Sequence, residues 1–216
     1  MVLISAVAVR DLSCRRGGRT IVDAISFTVR AGDVALLLGP NGIGKTTLLR
    51  TIAGMLRPGG GAVAIERVSS APEDAEAEAP ITSMMHVFGP GNGVKPTLTV
   101  EENLRFYQAF LAEREDEDAI ADALATFGLE DLADLPVSVL SSGQQRRAGL
   151  ARLLVAPRPI WLLDEPTHGL DAASREGLAG VLDRHADGGG IALVTTHVDL
   201  ALRNPRRFHL GHEAPV

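Results

Sequence analysis

The sequence predicts an α/β domain. Short apolar runs alternate with longer helical stretches, the pattern of strands joined by crossover helices. Three of those runs, Val34–Leu38, residues 160–163 and Ile191–Thr195, carry polar residues just past their C-terminal ends. Open parallel sheets bind their ligands beyond such strand ends. A glycine-rich turn between the first run and a helical stretch is the third observation.

Taken in order, residues 1–9 are apolar, with no basic run before them and no small-residue cleavage pattern after. They read as a first strand and not as a leader peptide. The run Val34–Leu38 ends at Gly39, and a helix is expected over residues 46–55. Residues 58–61 break the chain, and residues 71–79, small and acidic, read as a solvated loop. A further strand is expected over 83–88, before Gly89-Pro90-Gly91-Asn92-Gly93. Residues 99–111 and 119–127 have amphipathic spacing, and the charged run 113–118 between them reads as a solvated helix face or turn. Gly128 and Pro136 punctuate this helical segment, and residues 148–155 resume it. The expected layout is one domain: an α/β core at about residues 1–92 and 156–216, interrupted by a helical lobe at about 93–155.

Composition narrows the function classes. With 216 residues, 45% of them hydrophobic, the chain can bury a core without disulfide or metal. A net charge of -6 gives no general attraction for nucleic acid or anionic lipid. The single cysteine, Cys14, cannot form an internal disulfide, which suits a reducing compartment. No apolar run approaches the ~20 residues that span a bilayer, so membrane contact is expected only through a partner.

Residues 39–46 read Gly39-Pro40-Asn41-Gly42-Ile43-Gly44-Lys45-Thr46, and Thr47 follows. Glycines let successive backbone N–H groups turn inward as a cradle for phosphate oxygens, and the helix that follows aims its positive end at them. Lys45, one of only two lysines, should reach the β- and γ-phosphates. The Thr46 hydroxyl should bind Mg²⁺.

A phosphate loop alone does not choose among NTPases. A hundred residues on, Leu140-Ser141-Ser142-Gly143-Gln144 opens a helix. Its serines and backbone amides read either as a second anion site or as simple N-capping. The apolar strand at 160–163 ends in two carboxylates. Asp164 can hold Mg²⁺, and Glu165 can orient and deprotonate an attacking water; the same pair could also merely cap a helix. Pro166-Thr167-His168-Gly169-Leu170-Asp171 follows, and His197 stands just past the strand Ile191–Thr195.

In this order the motifs over 39–197 resemble the ATP-binding cassette (ABC) ATPases: phosphate loop, signature, Walker B strand, D-loop and switch histidine. Ser142 stands where the usual signature, Leu-Ser-Gly-Gly-Gln, has its first glycine. The resemblance implies a P-loop NTPase fold of the ABC type, with an antiparallel β edge and an inserted helical subdomain. It also implies catalytic roles for Glu165, His197 and Lys45, His197 contacting the γ-phosphate. Nucleotide contacts are implied from residues 39–47, Ser141, Ser142, Gly143, Gln144 and Asp171. Two such domains pair head to tail in the family, each signature closing on ATP held by the other, so a homodimer is expected.

Residues 41–49, 93–107, 141–147 and 159–171 resemble more closely the ATP-binding subunits of cytochrome c maturation systems, the haem exporter CcmA family. That resemblance implies a peripheral subunit on the cytoplasmic face of a bacterial inner membrane. Its partners would be a CcmB-like permease with CcmC-like and CcmD-like subunits, its work haem delivery and chaperone release. The same motifs would serve another small-molecule or lipid exporter. A soluble ABC protein acting on nucleic acid or ribosomes fits the acidic, single-domain chain poorly, and a phosphate-loop kinase should lack the signature and His197.

Two further positions depart from the family pattern. Where an aromatic ring usually stacks on adenine, this chain has Cys14-Arg15-Arg16-Gly17-Gly18, so Arg16, or Arg15, is the candidate for that contact. The Q-loop glutamine is missing, its place falling at Pro90 or Gly91. Either Asn92 replaces it as an Mg²⁺ ligand, or water completes the shell.

Overall fold

A computed structural model describes residues 4–68, 81–111 and 116–211. The acidic stretch 71–79, residues 113–115 of the charged run and His212 lie outside the described residues. Strands β1 (Ile4–Arg16) and β2 (Arg19–Arg30) form an antiparallel hairpin closed by Gly17 and Gly18. Both glycines have positive φ, 56° and 79°, as a two-residue hairpin turn requires. After β3 (Val34–Leu38) and helix α1 (Lys45–Ile52), strand β4 (Gly60–Arg67) pairs with the free edge of β1. The result is a three-stranded antiparallel sheet in the order β2-β1-β4.

The second sheet is parallel and uses β3 with β5 (Met85–Phe88), β6 (Ile160–Asp164), β7 (Ile191–Thr195) and β8 (Arg206–His209). Its order is β5-β6-β7-β3-β8. Between β5 and β6 the chain forms α2 (Val100–Leu111), α3 (Glu117–Phe127) and α4 (Ser142–Val155); between β6 and β7 it forms α5 (Ala172–Asp187). Helices α2–α5 pack on one face of the parallel sheet, and α1 lies between its other face and the antiparallel sheet. Because successive strand residues point to opposite faces, Leu162 joins the inter-sheet core and Leu163 the core under the helices. β6 and β7 are buried along their whole length, which is why they read as unbroken apolar runs.

Helix ends follow local chemistry. Thr99 and Glu102 form a reciprocal capping box before α2, with Thr99 N–H to Glu102 Oε2 at 2.8 Å and Glu102 N–H to Thr99 Oγ1 at 3.1 Å. Asp116 caps α3, and Gly128 ends it in the left-handed conformation. Helix α1 stops at Ile52, short of the expected residue 55, because Gly54 takes a positive φ of 73°. The strand expected at 83–88 begins only at Met85, after a 3₁₀ turn over Ile81–Met84. Among the described residues no helix is long and apolar enough to cross a membrane.

Candidate active site

The phosphate loop connects β3 to α1 at the C-terminal end of the parallel sheet. Gly39, Gly42 and Gly44 all have positive φ (148°, 82° and 112°), a conformation costly for other residues. At Gly44 the requirement is doubled, since a Cβ would lie 2.7 Å from Cγ2 of both Ile21 and Val22. The hairpin thus presses directly against the loop. Lys45 is buried, and its Nζ donates to Gly39 O at 2.7 Å and to Pro40 O at 3.3 Å. Ile43 turns its side chain toward Leu210 and Gly211, leaving only its backbone on the loop.

A cavity of about 320 Å³ opens over this loop. Arg16, Ile21, Asn41, Gly42, Gly44, Lys45, Thr46 and Thr47 line one side of it, Asp164 and Glu165 the other. Residues far apart in sequence thereby meet: the phosphate loop, the hairpin arginine and the two strand-end carboxylates. The two candidate arginines part here. Arg15 lies along Gly59, where a Cβ would come within 2.6 Å of its Cγ, while Arg16 reaches the cavity.

Asp164 is buried and accepts from Thr195 Oγ1 at 2.7 Å. Glu165 N–H donates to Thr195 O at 3.1 Å and also approaches Thr195 Oγ1 at 2.9 Å. Glu165 Oε1 stands 3.9 Å from Lys45 Nζ. His197 Nδ1 lies 2.9 Å from Glu165 Oε2, yet off the direction of a hydrogen bond. Among the described residues that oxygen has no hydrogen-bond donor, so its lone pairs are available. Thr196 shapes the histidine's loop, donating from Oγ1 to Val198 O at 2.9 Å and accepting from Val198 N–H at 3.0 Å.

The signature residues stand elsewhere. None of Ser141, Ser142, Gly143 and Gln144 lines the cavity. Ser141 is the N-cap of α4, and Ser141 and Gln144 form a full capping box. Gly143 abuts the D-loop, where a Cβ would lie 2.9 Å from Gly169 O. Asp171 caps α5 by accepting from Ser174 N–H at 2.8 Å, and its bonds to Ser174 hold its carboxyl below the usual range. Asn92 is likewise committed: its Oδ1 accepts from Arg146 Nη1 at 2.7 Å.

The sequence reading missed two residues that organise the site. Thr195 was noted only as the neighbour of the histidine, although its hydroxyl and carbonyl join both carboxylate residues. Arg146 drew no attention because nothing local to it names its partners.

The carboxylate and hydroxyl oxygens of Asp164 and Thr46 are hard donors in one cavity, the chemistry that Mg²⁺ prefers. Among the described residues no group of three or more His, Cys, Asp or Glu could hold a metal unaided.

Comparison with known proteins gives the same picture. The family model described as ABC transporter matches residues 22–168. The cytochrome c biogenesis ATP-binding export protein CcmA of Paramagnetospirillum magneticum is 45% identical over 213 residues, covering 97% of this chain and 96% of its own. CcmA of Paracoccus denitrificans is 45% identical over 208 residues, covering 96% and 90%. A putative ABC transporter ATP-binding protein from Pyrococcus furiosus has a TM-score of 0.80 at 26% identity, covering 95% of this chain and 98% of that one. The ATP-binding cassette MJ0796, a dimer bound to ADP and phosphate, shares the fold with a TM-score of 0.74 at 24% identity, covering 89% and 88%. With a phosphate loop, strand-end carboxylates and a separate signature helix all in place, the chain belongs to the ABC transporter ATP-binding family and, within it, to the CcmA group.

Proposed function

We propose that this chain hydrolyses ATP to drive an export complex of c-type cytochrome biogenesis; its relatives are named as ATP-binding export proteins of cytochrome c biogenesis. The observation that carries the reading is the meeting of Lys45, Thr46, Asp164 and Glu165 in one cavity. Backbone N–H groups of the phosphate loop, the N-terminus of α1 and Lys45 bind the phosphates. Thr46 and Asp164 would hold Mg²⁺, which neutralises charge on the β- and γ-phosphate oxygens when bound. Glu165 takes a proton from the attacking water as its oxygen bonds to the γ-phosphorus. The bond to the leaving oxygen then breaks, and ADP departs with that electron pair. His197, already beside Glu165, is placed to turn toward the γ-phosphate.

The signature residues lie outside this cavity, so on this reading Ser141 through Gln144 act on the nucleotide of a second copy in a head-to-tail homodimer. A CcmB-like permease, with CcmC-like and CcmD-like subunits, would place the dimer on the cytoplasmic face of the inner membrane. On this reading the complex would serve haem delivery and chaperone release.

Two measurements test this. Glu165→Gln should bind ATP normally while multi-turnover hydrolysis falls by roughly 10²–10⁴-fold, the usual size of a general-base contribution. Wild-type turnover in that variant would remove Glu165 from the role. Cells lacking the gene should lose c-type cytochromes; a normal content would show that the exporter serves another cargo.

A further inference from the structure

Asp164 and Glu165 are consecutive, yet both line the phosphate cavity. In a continuing strand they would point to opposite faces of the sheet. The chain avoids this by placing Glu165 in the left-handed region, with φ at 49°, a conformation a glutamate seldom takes unless its surroundings hold it there. Thr195 grips the amide side of that residue through its carbonyl and hydroxyl oxygens. On the carbonyl side Glu165 O accepts from the His168 backbone N–H at 3.2 Å and from one side chain, Arg146.

Arg146 leaves the second turn of α4 and is 5% exposed. Its Nη2 donates to Glu165 O at 2.5 Å and Asp164 O at 3.3 Å, and its Nε to Pro166 O at 3.4 Å. Three successive carbonyls thus converge on one cation at the turn. Nη1 points the other way, to Gly89 O at 2.8 Å and Asn92 Oδ1 at 2.7 Å, while the guanidinium carbon lies 4.2 Å from the centre of the Phe88 ring. Burial lowers the guanidinium pKa to about 10, opposed by the charges of Asp164 and Glu165, so it stays charged at neutral pH. Only a planar fork of five N–H donors serves this many acceptors at once; an ammonium has three donors and no plane. The loop after β5 also lies hard against α4, since a Cβ on Gly149 would sit 2.6 Å from Asn92 O.

We propose that Arg146 is a positioning residue: it holds the turn that aims Glu165 into the cavity, and it ties that turn to α4 and to the 89–93 loop. The proposal rests on the reading of Glu165 as the base. Arg146 itself touches no reacting atom. Its loss should lower kcat and leave ATP binding alone, and Asn92 serves it as an anchor instead of ligating metal.

The test uses the full-length chain and single-turnover hydrolysis, with ATP affinity and thermal unfolding measured on the same samples. Arg146→Lys should lower the hydrolysis rate tenfold or more while changing KM and the Mg²⁺ requirement less than twofold. In a Glu165→Gln background the same substitution should change the residual rate less than twofold, since the base it positions is gone. An unchanged rate in the single variant, or an equal fold-loss in both backgrounds, would overturn the proposal. If Arg146→Lys does not fold, Asn92→Gly is the substitute, because glycine accepts the positive φ of 46° and removes the Oδ1 anchor along with the rest of the side chain. It should lower the rate threefold or more at unchanged KM and Mg²⁺ requirement, again only while Glu165 is present; an unchanged rate overturns the proposal as well. Wild-type turnover by Glu165→Gln alone is a different result, removing the base assignment on which the proposal stands.

Discussion

At the tip of the β1–β2 hairpin two neighbouring arginines take different courses. Arg15 lies along Gly59, and Arg16 enters the nucleotide cavity, where Ile21 provides an apolar wall and no lining residue is aromatic. A planar guanidinium can stack on a base as a ring does, with an attraction on the order of 0.5–1 kcal/mol at an exposed site. Arg16→Ala should therefore weaken ATP binding by roughly two- to five-fold. Because a stacked cation reads no base edge, ATP and GTP should bind with similar affinity. Titrating both nucleotides into wild type and Arg16→Ala decides the matter: an ATP affinity that does not change places Arg16 in solvent and leaves Ile21 as the base contact.

Helix α4 combines two tasks at its N-terminus. The Ser141–Gln144 capping box satisfies the Ser141 and Gln144 amides, while Gly143 fits under Gly169 O. On the proposed reading Lys45 serves the nucleotide of its own subunit and Ser141 serves the partner's. Lys45→Ala should lose ATP affinity in the monomer. Ser141→Ala should retain it, lose about 1 kcal/mol of stability with the cap, and lose cooperative hydrolysis. Mixing the two variants restores both groups to one of the two composite sites, so activity should rise above that of either alone. A mixture as inactive as its components would argue against a shared site. These elements also show what the sequence can disclose. The phosphate loop was legible because its glycines, lysine and threonine are contiguous and each answers a local need. β6 and β7 were legible because burial on both faces leaves no polar interruption. β2 and β4 went unrecognised: their sheet is half exposed, and register shifts between Val9 and Leu12 and between Arg10 and Ser13 disturb the alternation. β8 has four residues, two of them arginines, and α5 mixes Ala and Gly with charge, so neither carries a clear period. Arg146 was illegible for a deeper reason, since its partners come from residues 89, 92 and 164–166 and meet only when the fold is complete.

Across the whole molecule, helices and sheet are joined by a buried cluster remote from the phosphate loop. His86 Nε2 meets Ala156 O at 2.5 Å, and His185 stacks on Trp161 with ring centres 3.7 Å apart. Strand pairing sets His86 beside Trp161, so α5, β6 and β5 meet at this point. Burial lowers both histidines to about 4; Arg152 and Arg158 push His86 further the same way, while backbone hydrogen bonds oppose the shift at each ring. The folded state thus keeps both rings neutral, whereas an unfolded chain protonates them near the ordinary value of 6.5. Between those values the unfolded state binds more protons, so stability should be full above about pH 6.5 and fall as pH drops toward 4. Each histidine supplies a slope of up to about 1.4 kcal/mol per pH unit, on the order of 3 kcal/mol across the window. The exposed carboxylates whose pKa is lowered, Asp171 and Glu117, begin to lose their contribution only as pH falls through their ordinary values of 3.8 and 4.5, so they add to the fall at the acid end of this range and leave the part above pH 5 to the histidines. His86→Gln keeps an amide N–H for Ala156 O and removes one titration. Urea unfolding between pH 7 and 4 should show the slope reduced by about half in that variant. A variant curve parallel to wild type would place the acid sensitivity outside this cluster.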